Sequence, residues 1–539
     1  GMGFNYVKAT ATDASGNVSE CNFRILVNPR PEICNGLDDD CDGYTDELQD
    51  WEIQTKLFAS DPANANQYGQ SVDMKGDWGI VGSNQNVAGE QRGTAYILHR
   101  DAASGTWGQV TQLFPDNSSL GDVFFGEKVA VGNGFCAVSA RLDDENGVDA
   151  GAVYIFKYNG PNPGDWTFYQ KILGTTAGEQ IGSSLDYFNE LLLVGATQNA
   201  DVAAEAGAAY LFAQAPIGTG NWNLVKKLAA PDSDLGDHFG YDVAVSGNHA
   251  VVTAKDDDEQ GIDAGAAYVF GKDQGGADNW GLIKKLLASD GEANDNFGVS
   301  VDLDGAWAVI GAHRDDDKGP ESGSAYIFYQ NDGGINNWGR HTKLTDYNGA
   351  KGEQFGYDVS IDGDYIAVGA RWERVFQSRA GAIFVYHKVD NGWGEFARLT
   401  DPANLYNDQL GSSVVIDNFS IMAGIPGEDL PQLIKDCGAV LVFNGVCGDQ
   451  RPSQRRSEPE SMEAKDLSFQ CFPVPFDQTL TIQLESPTAE MVQVRVFDFM
   501  GREIALLYNE LLEGSRSIQW NASNLPSGNY FVRISTTTK

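Results

Sequence analysis

The stretch "WEIQTKL" (residues 51–57) has the alternation of a β-strand, but no neighbouring stretch offers it a partner. Six related stretches follow along the chain, each beginning with Trp: "WGQVTQL", "WTFYQKI", "WNLVKKL", "WGLIKKL", "WGRHTKL" and "WGEFARL". They start at residues 107, 166, 222, 280, 338 and 393. The fold is decided by the strand with which the first copy pairs.

Two other markers repeat in step with the Trp-led stretches. An aromatic or aliphatic residue followed by Gly opens a short alternating strand, with the glycines at 69, 126, 182, 240, 298, 356 and 411. A second strand of the type "GAAYVF" begins at Gly residues 93, 151, 207, 265, 323, 381 and 438, and stretches such as "AVIGA" (308–312) lie between the two markers. The chain therefore contains seven units of four strands, 55 to 58 residues apart.

The seventh unit ends without a Trp-led strand, and residues 51–57 are the copy that it lacks. Four-stranded antiparallel units that repeat radially form a β-propeller, and a strand shared between the two ends of the array leaves no open sheet edge. We predict an all-β chain with a seven-bladed propeller over residues 51–447, closed by strand 51–57, and a small immunoglobulin-like β-sandwich at the C-terminus.

Charge and hydropathy exclude several classes of partner. The chain of 539 residues has 37 basic and 76 acidic residues and a formal net charge of −39, which repels nucleic acid and anionic lipid. No stretch approaches the roughly 20 apolar residues of a transmembrane helix. We expect neither nucleic-acid binding nor a transmembrane segment.

The motifs "FGVSV", "VGA" and "GAAYVF" resemble the FG-GAP repeat of integrin α-subunit propellers and their bacterial relatives. The resemblance extends from residue 51 to about 446. Integrin blades often hold Ca²⁺ between their first and second strands, and the short turns here, such as "DLDGAW", depart from that pattern.

Acidic residues gather instead after the second strand, in "RLDDENGVDAG" (141–151), "KDDDEQGIDAG" (255–265) and "RDDDKGPESG" (314–323). The loops after the second and fourth strands leave an up-and-down blade on one face, so one rim should be strongly negative. Adjacent carboxylates suit a hard cation, and solvated turns are the alternative. The weaker metal candidates are Asp143, Asp144, Asp256, Asp257, Asp258, Asp315, Asp316 and Asp317.

The strongest metal signal precedes the propeller, in "EICNGLDDDCDGYTDE" (32–47). Alternating carboxylates followed by Gly at a sharp turn wrap one Ca²⁺. We predict Ca²⁺ bound by Asp38, Asp40, Asp42, Asp46 and the Tyr44 carbonyl. Cys34 and Cys41 flank the loop at a separation that permits a disulfide, and the stretch resembles the Cys-clasped metal-binding motif of secreted bacterial surface proteins.

Residues 1–29 resemble the C-terminal hairpin of a hyalin-repeat (HYR) domain, and residues 30–50 form the Asp-rich stalk. A polar linker over 448–467 follows the propeller. Cys437 and Cys447 are candidates for a disulfide across the end of blade seven.

Residues 468–539, with "VFDFMGRE" and "LPSGNYF", resemble the C-terminal sorting domain of type IX secretion cargo. The resemblance implies the type IX translocon and its outer-membrane shuttle protein as partners, and a secreted or surface location on a Gram-negative bacterium.

The sequence contains no catalytic constellation, because its six His residues occupy unrelated positions of the repeat and no nucleophile motif occurs. One loop, "RWERVFQSRAG" (371–381), is basic and aromatic where its siblings are acidic, so Trp372, Arg374, Phe376 and Arg379 are candidate ligand contacts. We predict a non-enzymatic recognition or adhesion protein whose propeller binds a glycan or protein. The alternatives are an exported polysaccharide-active enzyme and a structural spacer.

Overall fold

The computed structural model describes residues 5–12, 18–25, 48–84, 93–115, 123–216, 220–347, 349–375, 378–389, 392–402, 407–430, 434–447, 468–472, 479–498, 503–521 and 530–537. Every regular element in these ranges is a β-strand. The chain divides into two compact units, one of residues 49–446 and one of residues 1–48 and 447–539.

A hairpin of β1 (Asn5–Thr12) and β2 (Val18–Ile25) comes first, followed by β3 (Leu48–Leu57), the first propeller strand. Blade 1 contains β4 (Ser71–Lys75), β5 (Trp78–Ser83), β6 (Thr94–Arg100) and β7 (Trp107–Leu113). Blade 2 contains β8 (Phe125–Val131), β9 (Phe135–Ala140), β10 (Ala152–Tyr158) and β11 (Trp166–Leu173). Blade 3 contains β12 (Ile181–Phe188), β13 (Leu191–Ala196), β14 (Ala208–Ala215) and β15 (Asn221–Leu228).

Blade 4 contains β16 (Val243–Ser246), β17 (His249–Ala254), β18 (Ala266–Gly271) and β19 (Gly281–Leu286). Blade 5 contains β20 (Val301–Asp304), β21 (Trp307–Ala312), β22 (Ser324–Tyr329) and β23 (Gly339–Leu344). Blade 6 contains β24 (Phe355–Asp362), β25 (Tyr365–Ala370), β28 (Ala382–Val389) and β29 (Gly392–Leu399), with a small hairpin of β26 (Arg374–Val375) and β27 (Ser378–Arg379) in its loop. Blade 7 contains β30 (Val414–Asp417), β31 (Ser420–Ile425), β32 (Ala439–Cys447) and β3.

The closure of the ring is confirmed. Each blade is a four-stranded sheet, and in blade 7 the strand order is β3-β32-β31-β30, so the N-terminal Trp-led strand is hydrogen-bonded to the last strand of the array. The seven blades form an all-β propeller, as the repeat predicts.

Side chains on or beside most of the innermost strands accept hydrogen bonds from the backbone of the next blade. The innermost strand has no strand partner on its axial side, so the N–H groups there need other acceptors. Asp302 of blade 5 accepts the Ile361 N–H of blade 6 at 2.7 Å, and Asp358 of blade 6 accepts the Val414 N–H of blade 7 at 2.6 Å. Ser413 of blade 7 accepts the Val72 N–H of blade 1 at 3.0 Å, which carries the pattern across the closure.

Bonds of this kind occur at six of the seven junctions between blades. Between blades 2 and 3 the corresponding positions hold Lys128, Ala130 and Gly132, whose side chains offer no acceptor. Asp and Ser on the innermost strands therefore serve as cross-blade acceptors around the axis.

The glycine of the "FG" marker is required by close approach between blades. Gly356 has φ of +79°, and a Cβ there would lie 2.1 Å from the Ser324 carbonyl oxygen of blade 5. Gly323, at the start of the third strand, forms a parallel bridge with Phe355. This bridge places the loop after the second strand beside the loop that enters the next blade, so both lie on one face, here called the loop face.

The flanking unit is also built from strands. β1 and β2 form the hairpin predicted for the N-terminal stretch, and their relation to an HYR domain stays a prediction. At the other end, β34 (Thr479–Asp498) pairs with β35 (Glu503–Asn521) along its length and with β33 (Ser468–Phe472) and β36 (Tyr530–Thr537) over its two halves. One apolar cluster joins both halves of β34 through residues such as Ile482 and Val494.

The predicted Cys437–Cys447 disulfide is wrong, because Cys437 is a buried free thiol whose Sγ contacts the Glu428 carbonyl oxygen. Cys437 lies two residues before β32 and Cys447 is the last residue of that strand, so the extended chain between them spans roughly 30 Å, far beyond the reach of a disulfide. Cys136 is likewise a buried free thiol. Cys34 and Cys41 lie outside the described residues.

Loss of the Trp51 side chain from the closing strand should destabilise the propeller. Trp51 is 5% exposed and packs edge-on against Tyr365 of blade 6 at 6.2 Å between ring centroids. We expect Trp51→Ala to lower the free energy of unfolding by about 3–5 kcal/mol, because a large buried side chain is lost. Chemical denaturation measures the change. Glu52→Ala, at an exposed position of the same strand, is the control, and equal stability of the two variants would contradict the role of this strand.

Candidate functional site

The acidic loops of the loop face are balanced by basic and hydroxyl groups from their own blades. In blade 5 the buried Asp315 accepts the Tyr326 hydroxyl at 2.7 Å and lies 2.8 Å from the Lys343 ammonium. The same ammonium contacts Asp290 and Asp317, at 2.9 and 2.6 Å. Blade 4 repeats the arrangement with Asp257, Tyr268 and Lys285, and blade 2 with Asp143, Tyr154 and Lys171.

The other candidate metal ligands in these loops have separate tasks. Asp144, Asp258 and Asp316 each accept a backbone N–H five residues further on, at 2.8 Å, which closes their own loop. Asp256 contacts the Lys255 ammonium and the His238 ring. Within the described ranges none of the weaker metal candidates belongs to a group of three with metal-ligand spacing, and metal binding by these loops stays a prediction.

The loop face is accordingly less negative than the acidic loops alone suggest, because lysines of the outermost strands neutralise part of their charge. The strongest metal candidates, Asp38, Asp40, Asp42, Tyr44 and Asp46, lie outside the described residues, so Ca²⁺ at that loop stays a prediction.

Blade 6 departs from this pattern. Phe384 stands where blades 1 to 5 have a tyrosine, and Glu373 stands where blade 5 has Asp315, three residues after the end of the second strand. Arg398 of β29 donates to Glu373 Oε1. Burial, and then the charge of Glu353, raise the pKa of Glu373 well above its usual range.

The basic and aromatic loop of blade 6 forms a compact surface. The Arg371 guanidinium lies 3.6 Å from the Tyr357 ring centroid and 5.5 Å from that of Trp372, and the Arg379 guanidinium lies 5.7 Å from Trp372. Arg374 pairs directly with Arg379 across the β26–β27 hairpin. The structure thus brings together three of the four predicted contact residues, and Phe376 lies outside the described residues.

Two residues that the sequence prediction missed belong to this surface. Arg371 donates to Gln354 Oε1 at 2.8 Å, and the His313 ring meets Tyr357 edge-on at 5.5 Å. Arg371 and His313 each follow the last Ala of a second strand, the position that Arg141 and Lys255 occupy in other blades. Alignment of the repeats could therefore have identified them from the sequence. Burial, followed by nearby Arg314 and Arg371, lowers the pKa of His313 to about 3, which keeps the ring neutral.

These arginines have no acidic partner in the part of the chain that the structure describes. Among the described residues, Arg371, Arg374 and Arg379 form no salt bridge, although the chain has twice as many acidic as basic residues. We call Arg371, Trp372, Arg374, Arg379 and Tyr357 the blade-6 patch.

The axis itself holds a second polar region. At its turn end a cavity of about 130 Å³ is lined by Asp73, Asp186, Asp302, Asp304, Asp362 and Asp417 together with Lys75. Burial raises the pKa of Asp73 to about 7 and of Asp302 to about 6, and neighbouring carboxylates add to both shifts. Near the loop face, burial raises the pKa of Asp358 to about 7 against the opposing charge of Lys128.

Comparison with protein families assigns the repeats. The FG-GAP repeat matches residues 51–98, 107–156, 222–270, 280–328 and 338–386, and the secretion system C-terminal sorting domain matches residues 470–539. The chain contains FG-GAP repeats and a C-terminal sorting domain. Every FG-GAP match begins at a Trp-led strand, and the first begins at Trp51, which places strand 51–57 in register with its siblings.

The sorting domain indicates export of the FG-GAP propeller by type IX secretion to the cell surface or the extracellular space. In the described part of the chain, no helix has the length and apolar character needed to cross a membrane.

Comparison with curated proteins gave no match. Among solved structures, the chain is similar to the Saccharomyces cerevisiae protein Sqt1, at 12% identity and a TM-score of 0.42, over 73% of this chain and 99% of that one.

The axial carboxylates should make the FG-GAP propeller less stable as pH rises. The folded-state pKa of Asp73 and Asp302 exceeds the unfolded value of about 3.9, so their contribution is complete below about pH 4 and is lost as pH rises through 6 and 7. We expect the free energy of unfolding to fall between pH 5 and 8, and to fall less in Asp73→Asn/Asp302→Asn. Urea denaturation across this range tests it. Glu52→Gln/Glu321→Gln removes two exposed carboxylates as the control, and identical slopes in both double variants would contradict the assignment.

Proposed function

We propose that the exported FG-GAP propeller is a recognition module that binds an acidic polysaccharide through the blade-6 patch. The supporting observation is the set of arginines without acidic partners, gathered around Trp372 on a chain with a formal net charge of −39. A protein of this charge repels anions except where local cations reverse the field.

The β26–β27 hairpin favours an anionic ligand. Arg374 and Arg379 face each other directly across the two strands, and like charges opposite one another destabilise a hairpin. A bound carboxylate relieves that repulsion. The arrangement is therefore more stable with an anion bound than without one.

The chemistry of the patch suits a sugar acid. Guanidinium groups bind carboxylates through two parallel hydrogen bonds and keep their charge at every physiological pH. Aromatic rings such as Trp372 and Tyr357 offer apolar faces for sugar rings, and the neutral His313 behind Tyr357 makes the surface insensitive to pH between about 5 and 8. A uronic-acid polymer combines both features.

Export supplies the setting for this role. We infer that residues 468–539 engage the type IX translocon and its outer-membrane shuttle protein, which would display the propeller outside a Gram-negative cell. The role proposed is adhesion or recognition without turnover of the polysaccharide, and Ca²⁺ in the Asp-rich loop 38–46 would stiffen the stalk before the propeller.

Affinity electrophoresis and calorimetry test the proposal with polygalacturonate as the acidic probe and dextran as the neutral one. We expect retention by polygalacturonate alone, weakened by salt because screening reduces charge attraction. Arg371→Ala/Arg379→Ala and Trp372→Ala should each lower the affinity at least about tenfold, equivalent to about 1.4 kcal/mol.

Arg340→Ala is the matched control, because Arg340 is an exposed arginine on the outer strand of blade 5. Retention that survives in both patch variants would place the ligand elsewhere. Shortening of the polymer would favour the polysaccharide-active enzyme, and binding of neither probe, with capture of an acidic protein instead, would replace the glycan by a protein ligand.

A further inference from the structure

Three buried carboxylates meet where blade 5 leads into blade 6. Asp346 and Glu353 belong to the loop that enters blade 6, and Glu373 follows its second strand. The three residues are 6%, 5% and 5% exposed, and one carboxylate oxygen from each lies within 4.8 Å of the others. Within the described ranges this is the one group of acidic, His or Cys side chains with that spacing.

One oxygen of this group receives no hydrogen bond from a basic side chain or a backbone N–H of the described residues. Glu373 uses Oε1 to accept from Arg398, and the neighbouring polar group that faces its carboxyl is another acid, Glu353. Glu353 uses Oε2 to accept the Ala350 N–H. A buried carboxylate oxygen without a donor is costly, so Glu373 Oε2 needs a positive group or a proton beside it.

The repeat shows how the other blades avoid this cost. In blade 5 the tyrosine hydroxyl and the lysine ammonium both contact Asp315. In blade 6 the tyrosine is Phe384, which has no hydroxyl to donate. In addition, Asp346 stands two residues after the last buried aliphatic residue of the outer strand, where blades 1 to 5 have Ala59, Pro115, Gly174, Ala230 and Ala288. Blade 7 has Asp401 at this position, and there the Lys56 ammonium contacts both Asp401 and Glu428, at 2.7 and 2.6 Å. Relative to blades 1 to 5, blade 6 has thus lost a donor and gained a carboxylate at the same point.

We propose that Asp346, Glu353 and Glu373 bind one divalent cation, and that the ion is Ca²⁺. Ligands on opposite sides of Ca²⁺ are about 4.6–5.2 Å apart, since each Ca–O distance is about 2.3–2.6 Å, and a separation of up to 4.8 Å fits this range. A set of carboxylates without His or Cys selects hard cations rather than zinc or copper.

The ion would connect two loops of the loop face. The N–H of Trp372, the residue before Glu373, already donates to the Glu353 carbonyl oxygen at 3.2 Å. A cation held by Glu353 and Glu373 fixes the start of the 371–381 loop against the loop that enters blade 6. The site is argued from its own ligands and does not depend on the proposed polysaccharide.

Equilibrium dialysis of the full chain with ⁴⁵Ca²⁺ tests the site. Residues 38–46 are also predicted to bind Ca²⁺, so the count is compared between variants. We expect Glu353→Gln/Glu373→Gln to bind one equivalent less than the unsubstituted protein, while Glu321→Gln, an exposed carboxylate of the same face, binds the same number. An unchanged count in the double variant would overturn the proposal.

Thermal unfolding gives a second readout, which a purely structural role would not reproduce. In EDTA the double variant should melt no lower than the unsubstituted protein, because carboxylate repulsion is relieved. At a Ca²⁺ concentration about 100 times the dissociation constant, the melting temperature should rise by about 3 °C in the unsubstituted protein only. An equal gain in both proteins would overturn the site.

Crystals grown with Mn²⁺ keep the proposal testable if the double variant does not fold. An anomalous difference peak between the three carboxylates is expected in the unsubstituted protein. Its absence would show that protons, rather than a metal ion, balance the charge of this cluster. Loss of the peak and loss of polygalacturonate binding are separate measurements, so failure of one proposal leaves the other standing.

Discussion

The unpaired axial edge of each blade is the constraint on which the rest of the structure depends. Seven sheets meet at the axis, and each presents the N–H groups of its innermost strand to a space without another strand. Asp and Ser side chains of the preceding blade accept those groups, as Asp302 does for Ile361 and Ser413 does for Val72. The same carboxylates crowd around the axis, so the bonds that hold the blades together also concentrate negative charge there.

Negative charge is also concentrated on the loop face, where other side chains compensate it. Acidic residues close its turns, and lysines of the outer strands together with the repeated tyrosines compensate them. Both proposed binding sites lie in the blade where this compensation changes. In blade 6 a basic loop replaces the acidic one, Phe384 replaces the tyrosine of blades 1 to 5, and three carboxylates lie together where the chain enters the blade.

The sequence predicts the propeller well because its evidence is repeated seven times. Period, strand number and the pairing of residues 51–57 all follow from spacing, and the structure confirms them. The side-chain partners are harder to predict. Asp315 meets Tyr326 eleven residues later and Lys343 twenty-eight residues later, and that meeting depends on strand register and on a bulge in the β22–β23 pair. The Asp runs alone suggest chelation, and they do not show that two later strands, β22 and β23, supply Asp315 with a hydroxyl and an ammonium. The predicted Cys437–Cys447 disulfide is wrong for a related reason. The spacing of the two cysteines in the sequence does not show that an extended strand holds them apart.

The shared blade also sets the path of mechanical force through the molecule. The chain enters the ring at β3 and leaves it from β32, and these two strands are neighbours in one sheet. Tension between whatever precedes residue 48 and whatever follows residue 447 therefore crosses a single strand pair and bypasses blades 1 to 6. We therefore expect the β3–β32 ladder to open under load before any other blade is stretched.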